Sequence, residues 1–203
     1  MHLKKSYHHG ALRDALVDQA LVMIEETGLE GLSLRKLAAR LGVSHAAPEH
    51  HFPSLKHLFT AMAAIGFARF TAAMAGERAR SDSDPVEQLR AALRGYLAFA
   101  TGQPALFRLM FTASLLDWSN AALEENAAAG YRQLQEICAP AAERLGLTTD
   151  AERSSLEHMV WSYAHGQAHL MIDQKLPVDE AGQCRPVPQA FDFATMVFSL
   201  PPA

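Results

Sequence analysis

An all-α chain is predicted, on three observations. Alanine and leucine abound while runs of β-branched residues are scarce, and Ala and Leu are strong helix formers. Apolar residues recur at three- and four-residue spacing through several long stretches, which is the period of one helix face. Starts and stops are also legible. Asp84-Pro85-Val86-Glu87 sets an acidic cap, a proline at the first position and a glutamate three residues after the cap, while Gly28, Gly42 and Gly146 each follow an apolar stripe.

The elements follow in order. A first helix is expected at about 12–27, with Leu12, Leu16, Ala20, Met23 and Thr27 on one stripe. Ser33 caps a second helix carrying Leu34, Leu37, Ala38 and Leu41. Gly42 stops it, because a residue without Cβ enters left-handed backbone space at little cost. Ser44 is expected to cap a third helix by accepting from its exposed amides. After the break at Phe52-Pro53-Ser54, a long fourth helix carries Leu58, Met62, Ile65, Phe67, Phe70 and Met74.

Leu89, Leu93, Tyr96, Leu97 and Ala100 form the buried face of a fifth helix, closed by Gly102-Gln103-Pro104. A short apolar helix follows at 106–111, then a longer one at about 119–145, bent near Pro140. Thr149 and Glu152 make a capping box that opens a helix to about 175. Residues 176–188 read as a loop, and a last helix is expected at about 189–200.

A chain of 203 residues fits one large or two small domains. The net charge of −4 excludes a generally basic, nonspecific nucleic-acid binder. The charge is unevenly spread, however. Residues 1–56 hold seven Lys/Arg against six acids and six of the ten histidines, and the remainder carries the negative excess. No apolar run is expected to span a bilayer, no signal-peptide pattern opens the chain, and two distant cysteines, Cys138 and Cys184, offer neither a disulfide framework nor zinc spacing. A cytoplasmic protein without a membrane partner is the expectation.

The stretch SLRKLAARLGVSHAAPEHHF, residues 33–52, has the form of a helix-turn-helix. In such a motif the second helix enters the DNA major groove. Ala46 and Ala47 are small enough to approach base edges and touch thymine methyls. The expected division is therefore 1–55 for DNA binding and 56–203 for ligand binding and dimerisation.

The order LRDALVDQALVMIEETGLEGLSLRKLAARLGVSHAAPEHHFPS resembles the DNA-binding domain of TetR-type transcriptional regulators. Tyr7-His8-His9-Gly10, the start Val43-Ser44-His45-Ala46-Ala47-Pro48, and Trp161 with His165-Gly166 resemble the branch whose C-terminal domain is named for a Trp-His-Gly motif. The resemblance implies an all-helical homodimer that binds a palindromic double-stranded operator as a repressor and is released by a small-molecule effector. It implies phosphate contacts for Ser33 and Arg35, a groove position for Ser44, His45, Ala46 and Ala47, and backbone contacts for His50 and His51. Two readings of Arg35 and Lys36 stay open, phosphate contacts and a solvated helix face; His51 likewise fits either DNA or the domain core.

Two positions depart from the family pattern. Glu49 stands where an aromatic, commonly Tyr, is usual, and a carboxylate there repels phosphate although it can accept from a cytosine amino group. Leu55 replaces the usual Lys, with Lys56 one place later and about 100° around the helix. Both changes lower the expected phosphate affinity. His45, His50, His51 and His57 offset them when protonated.

Beyond the helix-turn-helix, Phe67, Phe70, Met74, Phe99, Phe107, Met110, Phe111, Trp118 and Tyr131 supply large apolar surface, and Trp161 and His165 join them as candidate effector-pocket residues. Core packing is the plainer reading for many of these. Charges are sparse between 93 and 116, so a mostly hydrophobic small molecule is expected. The helix at 150–175 is apolar on more than one face, and Ser162, Gly166 and His169, with Phe191, Ala194 and Phe198 of the last helix, are the candidate dimer interface.

His158, His165 and His169 share a stripe, yet no Cys or Glu completes a metal set there, so no metal site is expected. No nucleophile elbow, phosphate loop or cofactor fingerprint is present. The chain is read as neither an enzyme nor a cofactor binder. The alternative retained is a ligand-binding or interaction protein whose DNA binding Glu49 has weakened.

Overall fold

The computed structural model describes residues 9–176 and 192–200. Among them lie nine α-helices and no strand. They are α1 His9–Thr27, α2 Leu34–Leu41, α3 Ala47–His51, α4 Leu55–Ala79, α5 Pro85–Gly102, α6 Pro104–Met110, α7 Ala121–Arg144, α8 Asp150–Ile172 and α9 Phe193–Ser199. Short 3₁₀ turns occupy Leu29–Gly31 and Ala113–Leu115. The loop expected at 176–188, Phe191 and the start of the last helix fall outside the described residues, apart from Leu176.

Local chemistry explains the boundaries. The Ser33 hydroxyl accepts from the Lys36 N–H at 3.2 Å, capping α2. At its other end Gly42 takes φ 67°, and the N–H groups of Gly42 and Val43 close back onto Ala39 and Ala38 carbonyls. The Asp84 carboxylate accepts from Val86 and Glu87 N–H groups at 3.0 and 3.1 Å. Thr149 and Glu152 form the reciprocal capping box of α8.

One boundary differs from expectation. Ser44 does not cap α3 with its side chain; Ala46 is the N-cap, already with helical backbone angles, and Pro48 lies in the first turn. Ser44 instead contributes its carbonyl to a turn, accepting from the Ala47 N–H at 3.0 Å. The Ala47 N–H, at the third position where an N-cap Ser44 hydroxyl would accept, is taken by the Ser44 carbonyl instead.

Two compact units emerge: one of residues up to Phe67 with Gln103–Asn126, the other of Ala68–Gly102 with residues from Ala127 onward. The sequence division at 55/56 had not placed α6 beside the helix-turn-helix. In the first unit Leu16, Ile24, Leu37, Leu58, Phe107 and Met110 are fully buried together. α6 is fixed to α1 by the Glu25 carboxylate, which accepts from the Ala105 and Leu106 N–H groups at 3.1 and 2.9 Å. A carboxylate on those orphan amides also suits the positive end of the helix. The Thr60 hydroxyl is buried and accepts from the Asp117 N–H at 3.0 Å.

The second unit is built on α5, α8 and α9 with parts of α4 and α7. Leu89, Ile137, Ala141, Leu156, Val160 and Val197 are among its buried residues. α5 approaches α4 so closely at Gly95 that a Cβ there would lie 2.7 Å from the Ala73 carbonyl oxygen and the Met74 Cα. The amide of buried Gln133 can donate to the Thr71 carbonyl and accept from the Ala75 N–H, both at 3.2 Å. Asp192 caps α9, accepting from the Thr195 N–H, and pairs with Arg90 of α5 at 2.6 Å.

α4 is the one described helix long and apolar enough to cross a membrane by length and composition. No such run was expected from the sequence. The finding reflects small Ala, Gly and Thr residues between its large ones, and 56% of its most apolar window is buried within the protein, as in a core helix.

Candidate nucleic-acid interface

α2, the turn at Gly42 and α3 together present one exposed face. Arg35 and Lys36 are exposed on α2, and Ser44, His45, Ala46, Glu49 and His50 are exposed on the turn and α3. Ser33 and Ala47 are half-buried, as is His51; Pro48 and Phe52 point inward and are buried. Lys56 is exposed near the start of α4, and neighbouring His57 shares a 2.8 Å hydrogen bond with the Ser54 hydroxyl. These exposed residues thus include the cations Arg35, Lys36 and Lys56, small residues at the turn and the Glu49 carboxylate.

Three contacts hold it in place. Lys36 Nζ donates to the Gly31 carbonyl at 3.0 Å, which restrains the ammonium beside the α2 start. Arg40 makes a two-pronged ion pair with Glu26 of α1, one arm at 2.8 Å. The pair holds the Glu26 carboxyl below the usual carboxylate range, chiefly through the Arg40 hydrogen bond. Arg13 of α1 lies over the Phe52 ring at 5.2 Å. Arg40, though cationic and on α2, is therefore spent on scaffolding.

The candidate effector residues divide between the units. In the first, Phe67 packs edge-on against Phe111 at 5.6 Å and Trp118 at 6.2 Å, and Phe107 lies 5.1 Å from Phe111. Phe107 and Met110 are fully buried, whereas Trp118 is 43% exposed. In the second unit, Phe70 meets Tyr96 at 4.7 Å and Phe99 at 5.5 Å, both edge-on, and Met74 is buried. Tyr131 is partly exposed, and its hydroxyl donates to the buried Glu157 carboxylate at 2.8 Å. Trp161 is 37% exposed and sits edge-on to His165 at 6.3 Å.

Of the candidate dimer residues, Ser162 and Gly166 are exposed and His169 and Phe198 half-buried. A Cβ at Gly166 would meet nothing within 4 Å. Ala194 requires correction: it is completely buried inside its own unit, so it supplies core and no outer surface. Exposed Met159, Leu170 and Met196 extend the apolar outer face instead. Cys138 is buried and its thiol is pushed up to about 12, first by burial and then by Glu157, which suits a core residue.

Sequence reasoning missed Glu25, Glu157 and Tyr96. A carboxylate capping a helix some 80 positions away leaves no trace in local periodicity. Tyr96 was read as apolar core, yet its hydroxyl sits 2.8 Å from His165 Nδ1.

Residues 16–62 match the family model described as bacterial regulatory proteins, tetR family, and residues 89–186 match one described as Tetracyclin repressor-like, C-terminal domain. The nucleoid occlusion factor SlmA of Photobacterium profundum is 33% identical over 106 residues, 51% of this chain and 53% of that protein. The class D tetracycline repressor protein of Escherichia coli is 37% identical over 57 residues, 28% of this chain and 26% of that one. The chain therefore matches about half the length of the first relative and about a quarter of the second. A solved structure of a protein of unknown function from Rhodococcus sp. RHA1 is 32% identical, with a TM-score of 0.71 over 87% of this chain and 92% of that one. The chain belongs to the TetR family of bacterial regulatory proteins.

Proposed function

We propose that this TetR-family member is a ligand-responsive, DNA-binding transcriptional repressor that binds a palindromic operator as a homodimer. One observation carries the reading: the exposed Ser44–Ala46 turn with Glu49 and His50 of α3, anchored from behind by buried Pro48 and Phe52. A five-residue recognition helix reads few base pairs. Two copies on half-sites about 34–36 Å apart would supply the missing specificity. Residues 1–55 read the DNA and 56–203 receive the effector and the second copy, in the cytoplasm.

The effector is a mostly hydrophobic small molecule, a reading supported by the Phe70, Tyr96 and Phe99 group of the second unit. Release works by population shift: an effector that prefers a dimer spacing mismatched to the operator weakens DNA binding by its differential affinity for the two states. α4, whose residues are shared between the units, carries the change.

A second reading, an interaction protein with weakened DNA binding, is favoured only by the exposed Glu49 carboxylate. Selection of bound duplexes from a random DNA pool with the full-length protein separates the two. A recovered palindrome whose affinity falls steeply with salt supports the repressor; no enriched sequence supports the alternative.

A further inference from the structure

His165 and His169 project from successive turns of α8 and bring their Nε2 atoms to 3.2 Å. We propose that this pair is a two-histidine clamp for one divalent transition-metal ion of the zinc, cobalt, nickel or copper class. The spacing is the first argument. Metal–imidazole bonds of about 2.0–2.1 Å opening at a tetrahedral angle set their two nitrogens about 3.3 Å apart. The pair thus stands at chelating distance. Imidazole is also the donor shared by this class of ions.

The supporting groups are the second argument. A metal-bound imidazole needs its other nitrogen held by a hydrogen-bond partner, which fixes the ring and the tautomer. The Tyr96 hydroxyl of α5 stands 2.8 Å from His165 Nδ1. Tyr96 is itself buried and takes a hydrogen bond from the Trp161 side chain. With the His165 hydrogen on Nδ1, facing Tyr96, the Nε2 lone pair is turned toward His169.

In the metal-free pair one Nε2–H lies between the two nitrogens. The incoming ion takes its place, and the donating ring remains neutral by carrying that hydrogen on Nδ1. Among the described residues no group of three His, Cys, Asp or Glu gathers here, so water completes the coordination. Both histidines are half-buried, which leaves an approach for the ion.

The test is calorimetric titration of full-length, tag-free, chelator-treated protein with Zn²⁺ and Ni²⁺ near neutral pH. One ion per chain is expected at a site that the His165→Ala/His169→Ala double variant lacks. Single variants His165→Ala and His169→Ala should each weaken binding by more than about 100-fold, and Tyr96→Phe by roughly 10-fold, as for loss of a supporting group. His158→Ala should bind as wild type. His169→Gln, which retains a polar side chain, guards against a folding defect and should also lose the site while keeping the wild-type circular dichroism. Identical binding in wild type and double variant, or no binding in either, would overturn the proposal and leave a hydrogen-bonded pair only.

Discussion

Glu49 puts a negative charge on the face proposed to meet phosphates, while Arg35 opposes it from α2; both are exposed. If Arg35 meets a phosphate as proposed, replacing it by Ala removes that contact. In a fluorescence titration it should weaken binding across sequences alike and reduce the slope of log affinity against log salt by about 1. An unchanged slope would assign Arg35 to the solvated face. A different charge reports on folding: Arg90 beside Asp192 holds that carboxyl at about 2. Above about pH 4 the carboxyl is charged in folded and unfolded chains alike, and the full stabilisation is present. As pH falls from about 4 through 2 the unfolded chain takes up the proton first and the stabilisation is lost. Asp192→Asn retains a capping side chain, so its denaturation midpoints should vary less over this acid range than those of wild type.

Helices are where the sequence was most readable. The caps at Ser33, Asp84 and Thr149 depend on residues three positions apart, and each is legible in the sequence. The α3 start differs because the Ser44 carbonyl, not its hydroxyl, takes the Ala47 N–H and the helix begins after Ala46. Tertiary roles were invisible: nothing near Gly95 announces that a second helix backbone lies against it. Two glycine substitutions separate local from tertiary effects. At Gly42, φ is 67° and an added Cβ meets nothing, so Gly42→Ala should cost only the left-handed backbone penalty, about 1–2 kcal/mol. Gly95→Ala drives a Cβ into the α4 backbone; the helices must separate, at about 1–3 kcal/mol or more. Urea denaturation measures both. A neutral Gly95→Ala would contradict the close α4–α5 approach.

For the whole molecule, the all-helical class and TetR membership were legible because the helix-turn-helix is contiguous in sequence. The candidate effector and dimer surfaces were less so. Aromatic residues at helical spacing look alike whether they end in the core, as Phe107 does, or partly outside, as Trp118 does. The same limit hid Ala194, a dimer candidate because the last helix is apolar around much of its girth, which packing places inside. Phe70 tests the division of labour. Phe70→Ala should alter the response to an effector recovered by ligand screening while operator affinity of the effector-free protein stays within about 2-fold, a change under about 0.5 kcal/mol. Equal loss of both would remove the effector assignment.

The central claim is that the Ser44–Ala47 segment reads bases, in two copies. Its most direct measurement is the affinity of the full-length protein for a selected duplex and for the same duplex with one half-site scrambled, at matched salt. Each wrong base pair costs about 1–3 kcal/mol, so the scrambled duplex should bind more than about 100-fold more weakly. Equal affinity for the two duplexes would contradict the account.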